Sequence, residues 1–289
     1  MSSPQQDTVR GQPQMEQEPH QQQGQEGQSQ HGQFQSGQSH HGQFQSEQFR
    51  NKTILVTGVS RGIGRGVLEF LATNDSCVVG VCKSGSRHLD ELKQKFIGNQ
   101  KVTILEADVT DLQSMEAVAS ELRKQKIQVD IVLSNAGVIT SSKPFWEVSK
   151  EEIDETYKVN IRGVFNTMKV FYPLLKTVQG SVIANVSSDW GICGSQGRSA
   201  YCMSKFAVEG LTKTGALDVE KDQVCIVTVS PGMVHSDMLI EAYGEEESRK
   251  IGVPLKEFVP QFVDRLCSID KSQNGQHLDL SHKSAHRAA

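Results

Sequence analysis

The chain has 289 residues and a formal net charge of −4, without the basic excess that nucleic-acid-binding proteins carry. No apolar run reaches the roughly 18 residues that a membrane-spanning helix needs, and the N-terminus lacks the basic and then apolar pattern of a secretory signal. These features argue against nucleic-acid and membrane partners, and we expect a cytoplasmic protein.

The N-terminal segment, residues 1–50, differs in composition from everything that follows. Glutamine accounts for 17 of these 50 residues, and His31–Ser36 recurs as His41–Ser46. The segment contains few apolar residues. Because these cannot offset the entropy that is lost on ordering, we predict a disordered Gln-rich tail. Its four histidines lack the regular spacing of a metal site, which favours a plain polar tail, although an interaction role stays open. One folded domain is predicted over residues 51–282, with a flexible C-terminal tail over residues 283–289.

The first predicted element of the domain is a β-strand over residues 53–57, followed by a glycine-rich turn and a helical pattern. The glycines are Gly58, Gly62 and Gly64, spaced G-x-x-x-G-x-G. Such a turn between strand and helix directs backbone N–H groups and a helix N-terminus towards a phosphate. By itself the turn is compatible with a simple tight connection, but the flanking strand and helix favour nucleotide binding.

The turn after the second predicted strand, residues 78–82, indicates which nicotinamide cofactor is preferred. Sheets that bind NAD usually carry an acidic residue about 20 residues beyond the glycines, whereas this turn carries Lys83 and Ser84. Arg61 adds a second cation within the glycine turn. Two cations suit the 2′-phosphate of NADP, so NADP (NADPH) is favoured over NAD. Ordinary solvated surface charges are the alternative interpretation.

Further strands, apolar on both faces, alternate with helical patterns along the rest of the domain. This alternation predicts an α/β fold, a doubly wound parallel sheet with helices on both sides. Right-handed crossovers bring the carboxyl ends of all strands to one edge, where ligands bind in open α/β sheets. The residues that follow strands at that edge are Gly58 to Gly64, Asp108, Asn135 to Gly137, Ser188 and Pro231-Gly232.

Tyr201 and Lys205 lie four residues apart in a helix predicted over residues 200–212, so both side chains leave one face. An ammonium beside a phenol lowers the pKa of the tyrosine, and such a tyrosine can exchange a proton with a carbonyl oxygen or an alcohol. Ser188, at the end of a buried strand over residues 182–186, can donate to the same oxygen. Taken alone, a Tyr-x-x-x-Lys pair is common on helix surfaces, and the rest of the chain is what gives it weight.

The six cysteines are scattered and include no C-x-x-C pair, and several lie in apolar strands. This arrangement favours buried free thiols in a reducing compartment over disulfides or a metal site, and we predict no metal.

Over about residues 52–280, the chain resembles the short-chain dehydrogenase/reductase family. The family pattern T-G-x-x-x-G-x-G is present, N-N-A-G is present with Ser in place of the first Asn, and the active-site Ser lies thirteen residues before the Tyr of Y-x-x-x-K. The glycine pair that usually follows the last strand of the family is missing, which bears on C-terminal packing. The matching positions are Thr57–Gly64, Ser134–Gly137, Asn160, Ser188, Tyr201, Lys205, Pro231-Gly232 and Ser236.

The resemblance implies a Rossmann fold and an NADP(H)-dependent oxidoreductase that reversibly reduces a ketone or aldehyde to an alcohol. It implies that Tyr201 is the general acid or base and that Ser188 is its hydrogen-bonding partner at the substrate oxygen. It also implies that Lys205 lowers the Tyr201 pKa and holds the nicotinamide ribose, and that Asn160 keeps a water in a proton relay behind Lys205.

The resemblance also implies a set of cofactor contacts, with Asp108 at the adenine and with Val234 and Ser236 near the nicotinamide carboxamide. Apolar residues in nearby loops suggest a substrate wall, in which we expect Trp190 and Met238 to join Ser188, unless they are simply core. The expected cofactor contacts are Gly58, Ser60, Arg61, Gly62, Ile63, Gly64, Lys83, Ser84, Asp108, Val109, Asn135, Ala136, Gly137, Tyr201, Lys205, Pro231, Gly232, Val234 and Ser236.

The expected partner is a small-molecule carbonyl or alcohol, and the resemblance implies a homo-oligomer, either a dimer or a tetramer. The alternative function is a catalytically silent NADP-binding protein that regulates or scaffolds through the Gln-rich tail. The complete set of Asn160, Ser188, Tyr201 and Lys205 argues against this alternative, because a silent binder does not need it.

Overall fold

The structure, a computed structural model, describes residues 49–281 except Ser84 and Ser86. Its main sheet is built from the strands β1 (Thr53–Thr57), β2 (Cys77–Cys82), β3 (Val102–Glu106), β4 (Ile131–Ser134), β5 (Val182–Val186), β6 (Cys225–Ser230) and β9 (His277–Asp279). These seven strands are all parallel and lie in the order β3-β2-β1-β4-β5-β6-β9. The chain reverses its direction of travel across the sheet between β1 and β4, which confirms the predicted doubly wound α/β fold.

Helices connect the strands and cover both faces of the sheet. They are α1 (Gly62–Thr73), α2 (Arg87–Lys95), α3 (Leu112–Lys124), α4 (Lys150–Thr156), α5 (Gly163–Leu175), α6 (Ser199–Asp218), α7 (Asp237–Tyr243), α8 (Glu245–Ile251) and α9 (Leu255–Cys267). A π-helical turn, Tyr157–Arg162, joins α4 to α5, and a small second sheet pairs β7 (Val234–His235) with β8 (Val253–Pro254). In the described part of the chain, no helix is both long and apolar enough to cross a bilayer.

The alternation of side chains along each strand divides the core into two layers. Ile54 of β1 packs with α1, α2 and α9 on one face of the sheet, while its neighbour Leu55 packs with α3, α5 and α6 on the other. Both side chains are fully buried. Because both faces are covered, ligands can reach the sheet only at its edges, which leaves the carboxyl ends of the strands as the binding region.

Side chains cap the starts of two helices. The side chain of Asp111 accepts a hydrogen bond from the backbone N–H of Gln113 at the start of α3. Ser149 and Glu152 form a capping box at the start of α4. Helix α6 is longer than predicted and runs to Asp218, since the residues beyond position 212 keep packing against β6 and the core.

The folded domain begins slightly before its predicted boundary. Phe49, which we assigned to the tail, packs its ring against Phe70 of α1 with the ring centres 5.5 Å apart, so the contacts of the domain extend to Phe49. The predicted disorder of the tail before Phe49 and the predicted flexible tail over 283–289 lie outside the described residues. Although the glycine pair is missing, β9 pairs with β6, and the N–H of Leu280 donates to the Ser230 carbonyl over 2.8 Å.

Candidate active site

A cavity of about 690 Å³ lies at the carboxyl edge of the sheet, between the loops that follow β1, β3, β4, β5 and β6. It brings together nearly all of the residues that the sequence predicted. The exceptions are Gly64 and Asn160, which do not line the cavity, and Ser84, which lies outside the described residues. Glu155 and Lys158 are among the lining residues that the sequence did not single out.

The glycine turn has a geometry that suits a phosphate. Gly58 has a φ of +75°, and a Cβ atom there would lie 2.8 Å from the Cα of Ala136. A Cβ on Gly64 would lie 2.4 Å from the Gly58 carbonyl oxygen, so Gly64 allows α1 to pack against the turn instead of contacting a ligand. Among the described residues no side chain caps the N-terminus of α1, and its first turn contains no acid. Its N–H groups are therefore available to an anion, which fits the pyrophosphate of a dinucleotide.

The two predicted cations each have an acidic partner. The ammonium of Lys83, whose side chain is 74% exposed, lies 2.9 Å from an Asp108 carboxylate oxygen. This hydrogen bond raises the pKa of Lys83. Burial alone would raise the pKa of Asp108, but the hydrogen bonds from Lys83 and Thr110 outweigh it and lower that pKa. Arg61 forms an ion pair with Glu241 of α7, so both cations lie at the cavity but neither is unpaired.

Asn135 anchors the loop that follows β4 to the end of β1. Its side-chain amide donates to the Thr57 carbonyl oxygen over 2.9 Å, while the N–H groups of Asn135 and Ala136 donate to the Thr57 hydroxyl. These bonds connect two neighbouring loops of the cavity.

Ser188 and Tyr201 come from different elements and meet inside the cavity. Ser188 follows β5 in an extended conformation, and its Oγ accepts a hydrogen bond from the Trp190 N–H over 3.2 Å. The hydroxyl proton of Ser188 thus remains available to another acceptor. Tyr201 is 6% exposed, and its hydroxyl lies 3.9 Å from the Sδ atom of Met238.

Burial raises the pKa of Tyr201 well above its ordinary range, and the hydrogen bond with Ser188 offsets only part of this rise. The prediction of a lowered Tyr201 pKa is therefore wrong for this structure, in which that pKa is raised. The physical reason is that the phenolate would have to form in a buried site. The ammonium that was expected to stabilise it is itself buried.

Lys205 lies one helical turn beyond Tyr201 on α6, as predicted, with its Nζ 5.4 Å from the centre of the Tyr201 ring. The Nζ donates a 2.7 Å hydrogen bond to the carbonyl of Val186, at the end of β5. Burial lowers the pKa of Lys205 to about 8, and the carboxylate of Glu209 opposes this shift. A group with this pKa changes its charge near neutral pH, which is a common property of residues at reaction sites.

Asn160 is fully buried in the π-helical turn, behind the cavity wall. Its Oδ1 accepts from the Val138 N–H over 2.8 Å, while its Nδ2 donates to the Val138 carbonyl and to the hydroxyl of Ser204. Asn160 thereby fastens the loop after β4 to α6, close to the helix turn that carries Tyr201 and Lys205. Short π-helical turns occur frequently at functional sites.

The substrate end of the cavity has aromatic walls. The ring of Trp190 meets the Tyr201 ring edge-on at 5.9 Å and lies tilted at 6.4 Å from the ring of Tyr243. Met238 completes this wall from α7, and both Trp190 and Met238 line the cavity. In the described part of the chain, no group of three or more His, Cys, Asp or Glu side chains is placed to hold a metal ion.

Comparisons with known proteins agree with this geometry. The family model described as short chain dehydrogenase matches residues 52–247. An NADPH-dependent pterin aldehyde reductase of Arabidopsis thaliana is 34% identical over 197 residues, which are 68% of this chain and 81% of the relative. A 3-oxoacyl-[acyl-carrier-protein] reductase of Staphylococcus aureus is 31% identical over 214 residues, 72% of this chain and 85% of that protein.

Solved structures show the same fold. The NADPH-bound carbonyl reductase from chicken fatty liver has a TM-score of 0.71 at 24% identity, with 80% of this chain and 97% of that chain covered. From the match of the family model and the identity to full-length relatives, the chain belongs to the short-chain dehydrogenase family.

Proposed function

We propose that the protein is an NADP(H)-dependent oxidoreductase that reduces a ketone or an aldehyde to an alcohol, in a reversible reaction. The observation that carries this proposal is the meeting of Ser188, Tyr201 and Lys205 in a cavity whose other end is lined by a phosphate-binding glycine turn. The family and its NADPH-dependent and NADPH-bound members support the assignment.

In the proposed mechanism, a bound nicotinamide supplies the hydride. The hydroxyl of Ser188 donates a hydrogen bond to the substrate oxygen, since its own oxygen already accepts from Trp190. Tyr201 then transfers its phenolic proton to that oxygen. Like any phenol, Tyr201 is protonated at neutral pH and can act as the acid in reduction. Lys205 would hold the nicotinamide ribose, and Asn160 would keep a water behind Lys205 in the path of proton resupply.

The preference for NADP over NAD rests on the turn after β2. Lys83 is largely exposed at the cavity and can turn towards a 2′-phosphate, and Arg61 lies in the glycine turn on the same cavity. An acidic residue, which would hold the 2′-hydroxyl of NAD, is missing from the sequence position where one is usual. The glycine turn and the available N–H groups of α1 would hold the pyrophosphate.

Replacing Lys83 with aspartate tests this preference. Lys83→Asp removes a positive charge and adds a negative one, so the ratio of kcat/KM for NADPH to kcat/KM for NADH is expected to fall by about tenfold or more. Steady-state kinetics with both cofactors measure this ratio. Lys150→Asp is the matched control, because it makes the same charge change at the start of α4, outside the cavity. A ratio that stays at the wild-type value in Lys83→Asp would remove Lys83 from the phosphate site.

We propose an aromatic or heteroaromatic aldehyde as the substrate. The rings of Trp190, Tyr201 and Tyr243 and the thioether of Met238 form walls that suit a flat ring. The pterin aldehyde reductase among the relatives acts on a compound of this kind by its name. Three consecutive acids, Glu245 to Glu247, open α8 directly after α7 and argue against the docking of an acidic carrier protein there.

A substrate panel tests the proposed reaction. The purified protein is expected to oxidise NADPH, followed by the loss of its absorbance, in the presence of bicyclic aromatic aldehydes. Its kcat/KM should be at least about tenfold lower for small aliphatic ketones and for acyl thioesters. Equal kcat/KM across the panel would contradict the aromatic preference, and the absence of NADPH oxidation with every carbonyl compound would contradict the reductase.

We also propose that two copies of the chain associate through α4, α5 and α6. This surface, which includes the π-helical turn, carries large apolar side chains that are about half exposed, among them Tyr157, Phe165 and Phe206. These elements lie against one another, and large apolar side chains exposed on neighbouring elements are typical of interfaces. The expected result is a dimer in sedimentation velocity, and Phe165→Glu with Phe206→Glu should shift it towards the monomer. Ile97→Glu, at an exposed residue after α2, is the control that should leave the dimer intact.

A cytoplasmic location is proposed as well. All six cysteines are free, and Cys82, Cys202, Cys225 and Cys267 are buried. Buried thiols without partners are typical of proteins in a reducing compartment.

A further inference from the structure

Arg198 is a buried arginine three residues before Tyr201 that neither the motifs nor the family resemblance identified. Arg198 is 4% exposed and lies behind the wall of the active-site cavity. Among the described residues no carboxylate pairs with its guanidinium. A buried charge is costly unless hydrogen bonds compensate it, so the partners that Arg198 does have indicate what it holds in place.

The guanidinium bridges a loop and a helix that line the substrate end of the cavity. One terminal nitrogen, Nη1, donates to the carbonyl of Thr140 over 2.9 Å, in the loop after β4. The other, Nη2, donates to the carbonyl of Ala242 over 2.5 Å, in α7. The loop and α7 both contribute cavity residues, Ile139 beside Thr140 and Ala242 itself.

The same group lies over the rings of two aromatic residues of the substrate wall. The guanidinium carbon lies 5.9 Å from the Trp190 ring centre and 5.5 Å from the Tyr243 ring centre. These cation–π contacts connect the loop after β5 with the last residue of α7. Next to Arg198 in the chain, the Gly197 carbonyl accepts from the Lys143 N–H over 3.1 Å, so the backbone here is also docked on the loop after β4.

We propose that Arg198 is a positioning residue that holds α7, Trp190 and the loop after β4 together, and so determines which carbonyl compounds fit beside Tyr201. This inference rests on the proposed reductase function. Arginine suits the role because its planar fork donates in two directions while its faces stay free for aromatic rings. A lysine ammonium is a point charge that cannot make all four contacts in this arrangement.

The functional consequence concerns substrate binding more than proton transfer. Arg198 does not line the cavity, and neither the glycine turn nor the hydrogen bonds of Lys205 and Asn160 depend on its guanidinium. Loss of the guanidinium is therefore expected to loosen the aromatic wall while leaving the nucleotide end of the cavity in place. The KM for a flat bicyclic aldehyde, which needs that wall, should rise more than the KM for a small aldehyde, which does not.

The test uses the full chain and compares Arg198→Met, Arg198→Lys and the control Arg249→Met. Arg249 is an exposed arginine on α8, paired with Glu245, away from the cavity. For Arg198→Met, the KM for a bicyclic aromatic aldehyde is expected to rise by about tenfold or more, while the dissociation constant of NADPH stays within about twofold. Arg198→Lys should change the KM in the same direction, and Arg249→Met should leave it unchanged.

A second readout does not depend on turnover. The chain contains two tryptophans, so in a Trp146→Phe background the emission comes from Trp190 alone. If Arg198 holds the wall closed, Arg198→Met and Arg198→Lys should shift this emission to longer wavelength in the absence of cofactor, because Trp190 becomes more hydrated. Arg249→Met in the same background should show the wild-type spectrum.

The substrate KM and the Trp190 emission together distinguish a failure of the positioning role of Arg198 from a failure of the proposed reductase function. Unchanged substrate KM together with an unchanged Trp190 spectrum in Arg198→Met would overturn the proposal. If wild-type protein reduces no carbonyl compound, the proposed function fails. The positioning role of Arg198 is then judged by the Trp190 emission spectrum alone. If Arg198→Met no longer binds NADPH, Arg198→Lys decides: a wild-type KM and spectrum in that variant would overturn the proposal, and a raised KM with a shifted spectrum would support it.

Discussion

Tyr201→Phe is expected to lower kcat for carbonyl reduction by about 10²- to 10⁴-fold while NADPH binding remains near that of the wild type. The substitution removes only the hydroxyl oxygen, and the ring that packs edge-on against Trp190 is kept. The substitution removes the proton donor. The Ser188 hydroxyl cannot replace it, because an alcohol is a weaker acid than a phenol, although it can still hydrogen-bond to the substrate oxygen. Steady-state kinetics give kcat, and titration of NADPH fluorescence gives cofactor affinity.

Tyr172→Phe is the matched control for this experiment. It also removes one phenolic hydroxyl, but Tyr172 lies in α5, outside the cavity, where its hydroxyl donates to the Asp222 carboxylate. Its kcat should therefore stay close to the wild-type value. A loss of less than about tenfold in Tyr201→Phe would mean that another group delivers the proton, and the assignment of Tyr201 would fail.

The sequence predicted the fold and the location of the site because both depend on patterns that are local. Strands that are apolar on both faces can only be covered on both faces, and Ile54 and Leu55 show this in neighbouring positions of β1. Parallel strands then bring the glycine turn, Asn135, Ser188 and the helix of Tyr201 to one edge, where the structure places them around one cavity.

Other features of the fold and of the cavity leave no recognisable local pattern in the sequence. Strand β9 has only three residues, and α9 contains Pro260, so neither pattern stood out from the surrounding chain. The partners of Arg198 are backbone carbonyls in distant loops, which no residue type in the sequence reveals. Gly64 belongs to the cofactor motif, yet the structure shows that its lack of a side chain serves the contact between α1 and the Gly58 carbonyl.

The most informative difference between the sequence-based prediction and the structure is the direction of the Tyr201 pKa shift. The spacing of Tyr201 and Lys205 shows that an ammonium is near, but it does not show how deeply both groups are buried. Since burial disfavours the charged form of each, it raises the pKa of the phenol and lowers the pKa of the ammonium. The pair is therefore arranged as a protonated acid beside a lysine that is charged only up to about pH 8.

Lys205→Met is expected to lower kcat/KM for NADPH by about 10²- to 10³-fold at pH 7, the effect of removing one charged donor from a preorganised site. The methionine keeps the length and apolar stem of the side chain, but the hydrogen bond to the Val186 carbonyl and the positive charge beside Tyr201 are lost. Lys213→Met, at an exposed residue of the same helix, is the control and should have wild-type kinetics.

The pH dependence distinguishes a role of the charge from a role of the side-chain shape. The ammonium of Lys205 is present below its pKa of about 8 and lost above it, so kcat/KM for NADPH, which reports groups of the free enzyme, should be level below pH 8 and fall above it. In Lys205→Met this fall should disappear. Stability supplies an independent measurement: the unfolded chain holds the Lys205 proton up to its ordinary pKa near 10.5 and the folded chain only to about 8. The wild type should therefore gain free energy of unfolding, relative to Lys205→Met, as the pH rises from 8 to 10. A difference between the two proteins that stays constant over this range would show that the pKa of Lys205 is not lowered in the folded protein, and the expected fall of kcat/KM above pH 8 would fail with it.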